Sequence, residues 1–108
     1  MSDYAVWIEA EEWEPGECDP ANDNTEVIVT FADESRWSAT FFTYANVLSL
    51  VERYRESGEC FSGKYFWARD MILVDEISRP KIEEVIARLL TTGEFYEVFG
   101  TDDGNDTC

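Results

Sequence analysis

The spacing of apolar residues changes at Thr43, and that change divides the chain into a strand-forming part and a helix-forming part. Tyr4, Val6, Ile8 and Ala10 alternate with Trp7, Glu9 and Glu11, which is the period of a half-buried strand. This strand is predicted to end near Glu12. Val27, Val29 and Phe31 repeat the alternation, as do Trp37, Ala39 and Phe41, with Asp33-Glu34-Ser35 between the two runs. Together they read as a β-hairpin whose turn lacks the Asn-Gly or Asp-Gly that would fix its type. After Thr43, an N-cap, the spacing becomes Tyr44, Val47, Leu48, Val51 and Tyr54, the stripe of an amphipathic helix that Gly58 stops.

The remaining segments follow from local chemistry. Residues 14–24 contain Pro15, Gly16, Pro20 and three Asp or Asn in the last three positions, and read as a loop. Cys60-Phe61-Ser62-Gly63-Lys64 reads as a turn. Residues 65–68 and 71–74 are apolar runs predicted as two short strands or one bulged strand, with Phe66 and Trp67 in the core alongside Trp37 and Phe41. Ser78 caps a second helix with Pro80 in its first turn and Ile82, Val85, Ile86, Leu89 and Leu90 facing the core; Gly93 ends it. Residues 94–99 are predicted to add a last strand. The fold class is therefore α+β: a single domain over residues 1–99, with an antiparallel or mixed sheet of four to six strands and two amphipathic helices packed on one face, in the order βββ-α-β(β)-α(β). Residues 100–108 are expected to form a flexible acidic tail.

Charge separates the chain differently. The formal net charge is −16, from 24 acidic and 8 basic residues. Residues 1–35 carry eleven acids and no Lys or Arg, residues 94–108 carry five more acids and again no base, and residues 36–93 balance at eight of each. The ends produce the whole excess. Phosphates of nucleic acid and anionic lipid headgroups are repelled by such a surface, so neither is an expected partner. No run reaches the roughly 18 apolar residues of a membrane span, and Met1-Ser2-Asp3-Tyr4 lacks the pattern of a signal peptide, so the expected location is cytoplasmic. Cys18, Cys60 and Cys108 form no C-x-x-C pair and are read as free thiols, Cys60 as a buried filler and Cys108 as exposed.

Catalytic chemistry has little to work with. The chain has no histidine, which removes the commonest general base and every Ser-His or Cys-His arrangement. Asp70, Asp75 and Glu76 stand near apolar runs but read as solvated strand ends. Residues 19–24 and 102–106 cluster oxygen ligands, yet neither follows the calcium-loop pattern: Ala21 breaks the first and no closing Glu follows the second. Gly58 and Gly63-Lys64 have the spacing of a phosphate loop, but Tyr65 stands where Ser or Thr is needed and no strand precedes it. No cofactor, metal or enzymatic activity is expected.

What is left is a binding surface. Trp7 and Trp13 lie among Glu9, Glu11, Glu12 and Glu14, with Glu17 and Asp19 following, and these eight residues are the candidate partner-binding site. An aromatic ringed by acids suits an anchor that enters a partner's pocket while the carboxylates meet its Lys and Arg. In size, charge and layout over its whole length the chain resembles the immunity proteins that neutralise bacterial toxins, many of which bind basic nucleases. It is also similar to phage-encoded DNA mimics. The resemblance implies a non-catalytic module docking on a basic protein, a toxin or a nucleic-acid-binding protein. A DNA mimic would need a regular row of acids such as Glu9 and Glu11 on a strand. A structural or regulatory subunit would bury second-face residues such as Ile28 and Phe42 in an oligomer; monomer and homodimer are both open.

Overall fold

The period change at Thr43 coincides with the point where a strand hands the chain to a helix. The computed structural model describes residues 3–101. Its strands are β1 (Tyr4–Ile8), β2 (Asn24–Phe31), β3 (Arg36–Thr43), β4 (Met71–Val74) and β5 (Gly100–Thr101). Its helices are α1 (Tyr44–Ser57), the short turn α2 (Glu59–Gly63), α3 (Arg79–Thr92) and α4 (Phe95–Val98), with a 3-10 turn at Glu9–Glu12. Thr43 ends β3 and caps α1: its hydroxyl accepts the Asn46 N–H at 3.0 Å, and the same oxygen accepts the Asp23 N–H at 3.2 Å. Ser78 caps α3 in the same way, taking the Lys81 N–H, and Gly58 and Gly93 close α1 and α3 with left-handed φ values of 87° and 83°.

The sheet is organised on β3. β2 pairs with it as the expected antiparallel hairpin, in the register Val27↔Ala39 and Val29↔Trp37. Asp33 shapes the turn by accepting both the Ser35 N–H and its hydroxyl, and those bonds hold its carboxyl below the usual range. On the other edge of β3, β4 runs parallel over Thr40–Thr43 and β5 runs antiparallel beside Trp37 and Ser38. The sheet is therefore mixed. A parallel partner needs a crossover, and α1 with the segment after it supplies one. β1 pairs only with β2 and forms the far edge.

The core lies on one face. Ile8, Val27, Val29, Ala39, Phe41 and Val74 meet Ile82 and Ile86 of α3 together with Phe95 and Phe99. Phe95 is fully buried at the centre of an aromatic group: its ring lies 5.5 Å from Phe31 and 4.3 Å from Phe99, stacked on the latter.

Four expectations are corrected. β1 stops at Ile8, because residues 9–12 tighten into the 3-10 turn instead of extending the strand. Residues 95–98 form the helical turn α4 rather than a strand, and the Phe99 N–H bonds the Phe95 carbonyl at 2.8 Å, which brings their two rings together. Residues 65–68 are not a strand: Phe66 turns to the second face, where its ring lies 5.5 Å from Phe42, and Trp67 is exposed. Finally, α3 covers the core face without α1. No residue of α1 is buried, and its Tyr54 stacks on Phe66 at 6.3 Å, so this helix lies toward the second face.

Between α1 and β4 the backbone is strained. Cys60, Phe61 and Ser62 have φ of 52°, 55° and 58°, a left-handed run that costs L-residues about 1–2 kcal/mol each. Gly63 follows at φ 75°, where a Cβ would stand 2.5 Å from the Val51 carbonyl. Cys60 is buried and disulfide-bonded, which corrects its reading as a free thiol, whereas Cys18 is free. Gly100 and Thr101, expected in the tail, belong to the sheet; the rest of that tail, with Cys108 and the 102–106 cluster, lies outside the described residues.

Phe95→Ala should lower unfolding free energy by about 3–5 kcal/mol, because a fully buried aromatic leaves a cavity. Leu48→Ala, on the exposed side of α1, should change it by less than about 0.5 kcal/mol. Urea titration of both variants checks the assignment of core to α3 and α4, and comparable losses would contradict it.

Candidate functional site: the acidic edge at β1

β1 places Tyr4, Val6 and Ile8 against the core and Trp7 on the opposite face, where it is 40% exposed. The chain turns at Glu9 because two side chains replace the strand ladder. Thr25, fully buried on β2, accepts the Ala10 N–H at 2.9 Å, and Glu9 Oε1 accepts the Glu26 N–H at 3.3 Å. The loop that follows is held in a similar manner. Glu17 accepts the Glu14 N–H at 2.7 Å, Asp19 accepts the Ala21 N–H, and Asp23 accepts the N–H groups of Asp19 and Asn24. These are carboxylates acting as acceptors for an irregular backbone that has no ladder to satisfy it.

Glu11 is held differently. Arg79, the first residue of α3, donates from Nε and Nη2 to its two carboxylate oxygens at 2.9 and 2.6 Å, a bidentate pair. The same guanidinium donates to Glu83 at 2.9 Å and to the Val6 carbonyl at 3.1 Å. The hydrogen bonds from Arg79, aided by its charge and opposed by partial burial, hold the Glu11 carboxyl below the usual range. Bonds to Glu11 and Glu83 raise the Arg79 guanidinium further above an already high value.

The eight candidate residues thus divide. Trp7, Glu12 and Glu14 are exposed and Trp13 is half-buried, while the carboxylates of Glu9, Glu17 and Asp19 bind backbone amides and that of Glu11 binds Arg79. Composition does not reveal Arg79 and Glu83 as members of this site. One signal was available: a cation in the first turn of a helix opposes the helix dipole, so Arg79 calls for a carboxylate nearby. Between β1 and α3 lies a groove of about 380 Å³ lined by Tyr4, Val6, Pro80, Glu83, Glu84 and Ala87.

The competing sites are weaker. Asp75 accepts from Lys81 at 3.3 Å and raises the Lys81 ammonium by that bond. Burial, then Asp23 and Asp19, push the Cys18 thiol up and away from thiolate reactivity. No group of three or more His, Cys, Asp or Glu among the described residues is arranged to hold a metal. Glu9 and Glu11 sit on the 3-10 turn, not on alternate strand positions, so the spacing that phosphate mimicry would take from a strand is not formed here. Phe42 is buried within the chain itself, whereas Tyr44 and Leu48 of α1 are 56% and 68% exposed.

Glu11→Gln should cost about 1 kcal/mol at pH 7, the upper range for a partly exposed pair, here bidentate. A carboxyl depressed by folding stabilises above its unfolded pKa, near ~4.3, and that contribution is lost as pH falls through the lower folded value. The stability gap between the wild type and the variant, followed by urea unfolding from pH 7 into acid, should therefore close at low pH; a gap independent of pH would rule out the ion pair as its source. No family model, curated protein or solved structure matches this chain.

Proposed function

We infer that this protein is a non-catalytic binding module that docks on a basic partner protein through the acidic edge at β1, in the manner of an inhibitor or immunity protein. The observation that carries the reading is an exposed Trp7 within a segment of eleven acids and no base. Among the described residues, Arg79 is the cation that meets a carboxylate of the eight candidates, and Glu12 and Glu14 point to solvent. A field of that sign accelerates encounter with a cationic surface, and a large aromatic at its centre supplies the desolvated anchor that charge alone lacks.

A subunit role is a second reading, and its support comes from α1. The exposed Tyr44 and Leu48 give that helix an apolar face, and sedimentation at high micromolar concentration separates monomer from oligomer. The compartment is part of the proposal as well. No helix among the described residues is long and apolar enough to cross a membrane.

The test is capture of a partner from the native host followed by affinity measurement. The partner should be basic, and its association rate should fall as added salt shortens the Debye length below about 8 Å. Trp7→Ala combined with Glu12→Gln and Glu14→Gln should weaken binding at least about tenfold, as loss of a central aromatic anchor does, while Leu48→Ala leaves it unchanged. An acidic or neutral partner whose binding ignores salt would refute the proposal.

A further inference from the structure

β1 is an edge strand with an unfinished hydrogen-bonding side. The Asp3 carbonyl accepts the Ala32 N–H at 3.2 Å, so the backbone groups of Asp3, Ala5 and Trp7 face β2 and those of Tyr4, Val6 and Ile8 face outward. Among the described residues the outward N–H groups of Tyr4 and Val6 meet no acceptor, and the outward Val6 carbonyl is met by the Arg79 side chain rather than by a strand. Sheets commonly blunt such an edge with a proline, a bulge or an inward lysine, and β1 has none of these.

We propose that β1 is the docking edge for an extended basic segment of a partner protein, which adds to the sheet as a further strand. The proposal rests on the reading of the acidic edge as a docking surface and specifies how the partner is held. An added strand would place alternate side chains on the two faces of the sheet. On one face they enter the groove between β1 and α3, where Glu83 and Glu84 stand above Tyr4, Val6, Pro80 and Ala87. On the other face they lie beside the exposed ring of Trp7, a surface on which a Lys or Arg packs by cation–π attraction.

The chain displays this recognition with its own arginine. The Arg79 guanidinium rests on the β1 edge between the carboxylates of Glu11 and Glu83 and against the Val6 carbonyl, so the edge already satisfies a cation of the type proposed. That carbonyl keeps a second lone pair, and an incoming N–H need not displace Arg79. Charge selects the occupant. A second copy pairing through β1 would bring two base-free segments of eleven acids together, and nucleic acid would add phosphates to the same field. A basic extended segment is the complement, and backbone pairing with an exposed edge is an established mode of peptide capture.

The test uses the full chain and a synthetic nine-residue peptide of alternating Arg and Val. The control has the same sequence and charge, with its internal backbone amides N-methylated. The parent peptide should bind at least tenfold more tightly than the methylated one, and it should slow hydrogen exchange at the Tyr4 and Val6 amides. Glu84→Lys should weaken the parent several-fold, and Leu48→Ala should not. Equal, salt-sensitive binding of the two peptides without protection of Tyr4 and Val6 would overturn strand addition and leave the acidic docking surface standing. Failure of both peptides to bind would also overturn strand addition, and the docking surface would then be judged by the salt response of the partner captured from the host.

Discussion

One guanidinium joins the most acidic part of this protein to the rest of it. Residues 1–35 contain no base, yet β1 must lie against the first turns of α3, which brings Glu83 close to Glu11 on either side of Arg79. Like charges so placed would push the edge strand away from the helix. Arg79 reverses the sign locally by gripping Glu11, Glu83 and the Val6 carbonyl together. Its own position is unfavourable, since the start of a helix repels a cation, and the two carboxylates offset that cost. With the edge tied down, Val6 and Ile8 remain packed on Val29 and Val27.

Two buried hydroxyls do for the loops what Arg79 does for the edge. Thr25 takes the Ala10 N–H at the start of the acidic loop, and Thr43 takes the Asp23 N–H at its end while also capping α1. Both threonines are fully buried, so loss of either bond would strand a polar group. β-branched residues suit strands, and here their polar branch lets the same positions anchor irregular chain. Within the loop, carboxylates accept the N–H groups of Glu14, Asp19, Ala21 and Asn24, and carbonyls accept those of Glu17 and Asn22, which helps so acidic a segment hold a defined path.

Elements whose evidence is local were legible in the sequence. Thr43, Gly58, Ser78 and Gly93 bound α1 and α3 where capping chemistry places them, and alternation gave the β2–β3 hairpin, though not its register. What was not legible depends on distant partners. Ala10 continues the alternation of β1, but Thr25, 15 residues away, bends the chain at that point. The stripe on α1 announces a helix with an apolar face without saying whether anything covers it. Tyr44 and Leu48 show that part of that face stays open. Phe95 and Phe99, four apart, share a face on a strand as well as on a helical turn, so their spacing did not decide between the two. The candidate site was legible as composition, but Glu11 and Arg79 are 68 residues apart and their pairing follows only from the fold.

Acidity therefore has two separable roles along the same edge. Glu9, Glu11, Glu17, Asp19 and Asp23 spend their oxygens on backbone amides or on Arg79 and so fix the shape of the edge. Glu12 and Glu14 are exposed and contribute chiefly field. Field acts at a distance, is screened by salt and governs how often a cationic partner arrives. Shape acts at contact: the outward groups of β1 and the ring of Trp7 govern how long a partner stays. A segment built on charge alone would attract every basic protein about equally, so selectivity must come from the edge that the engaged carboxylates hold in place.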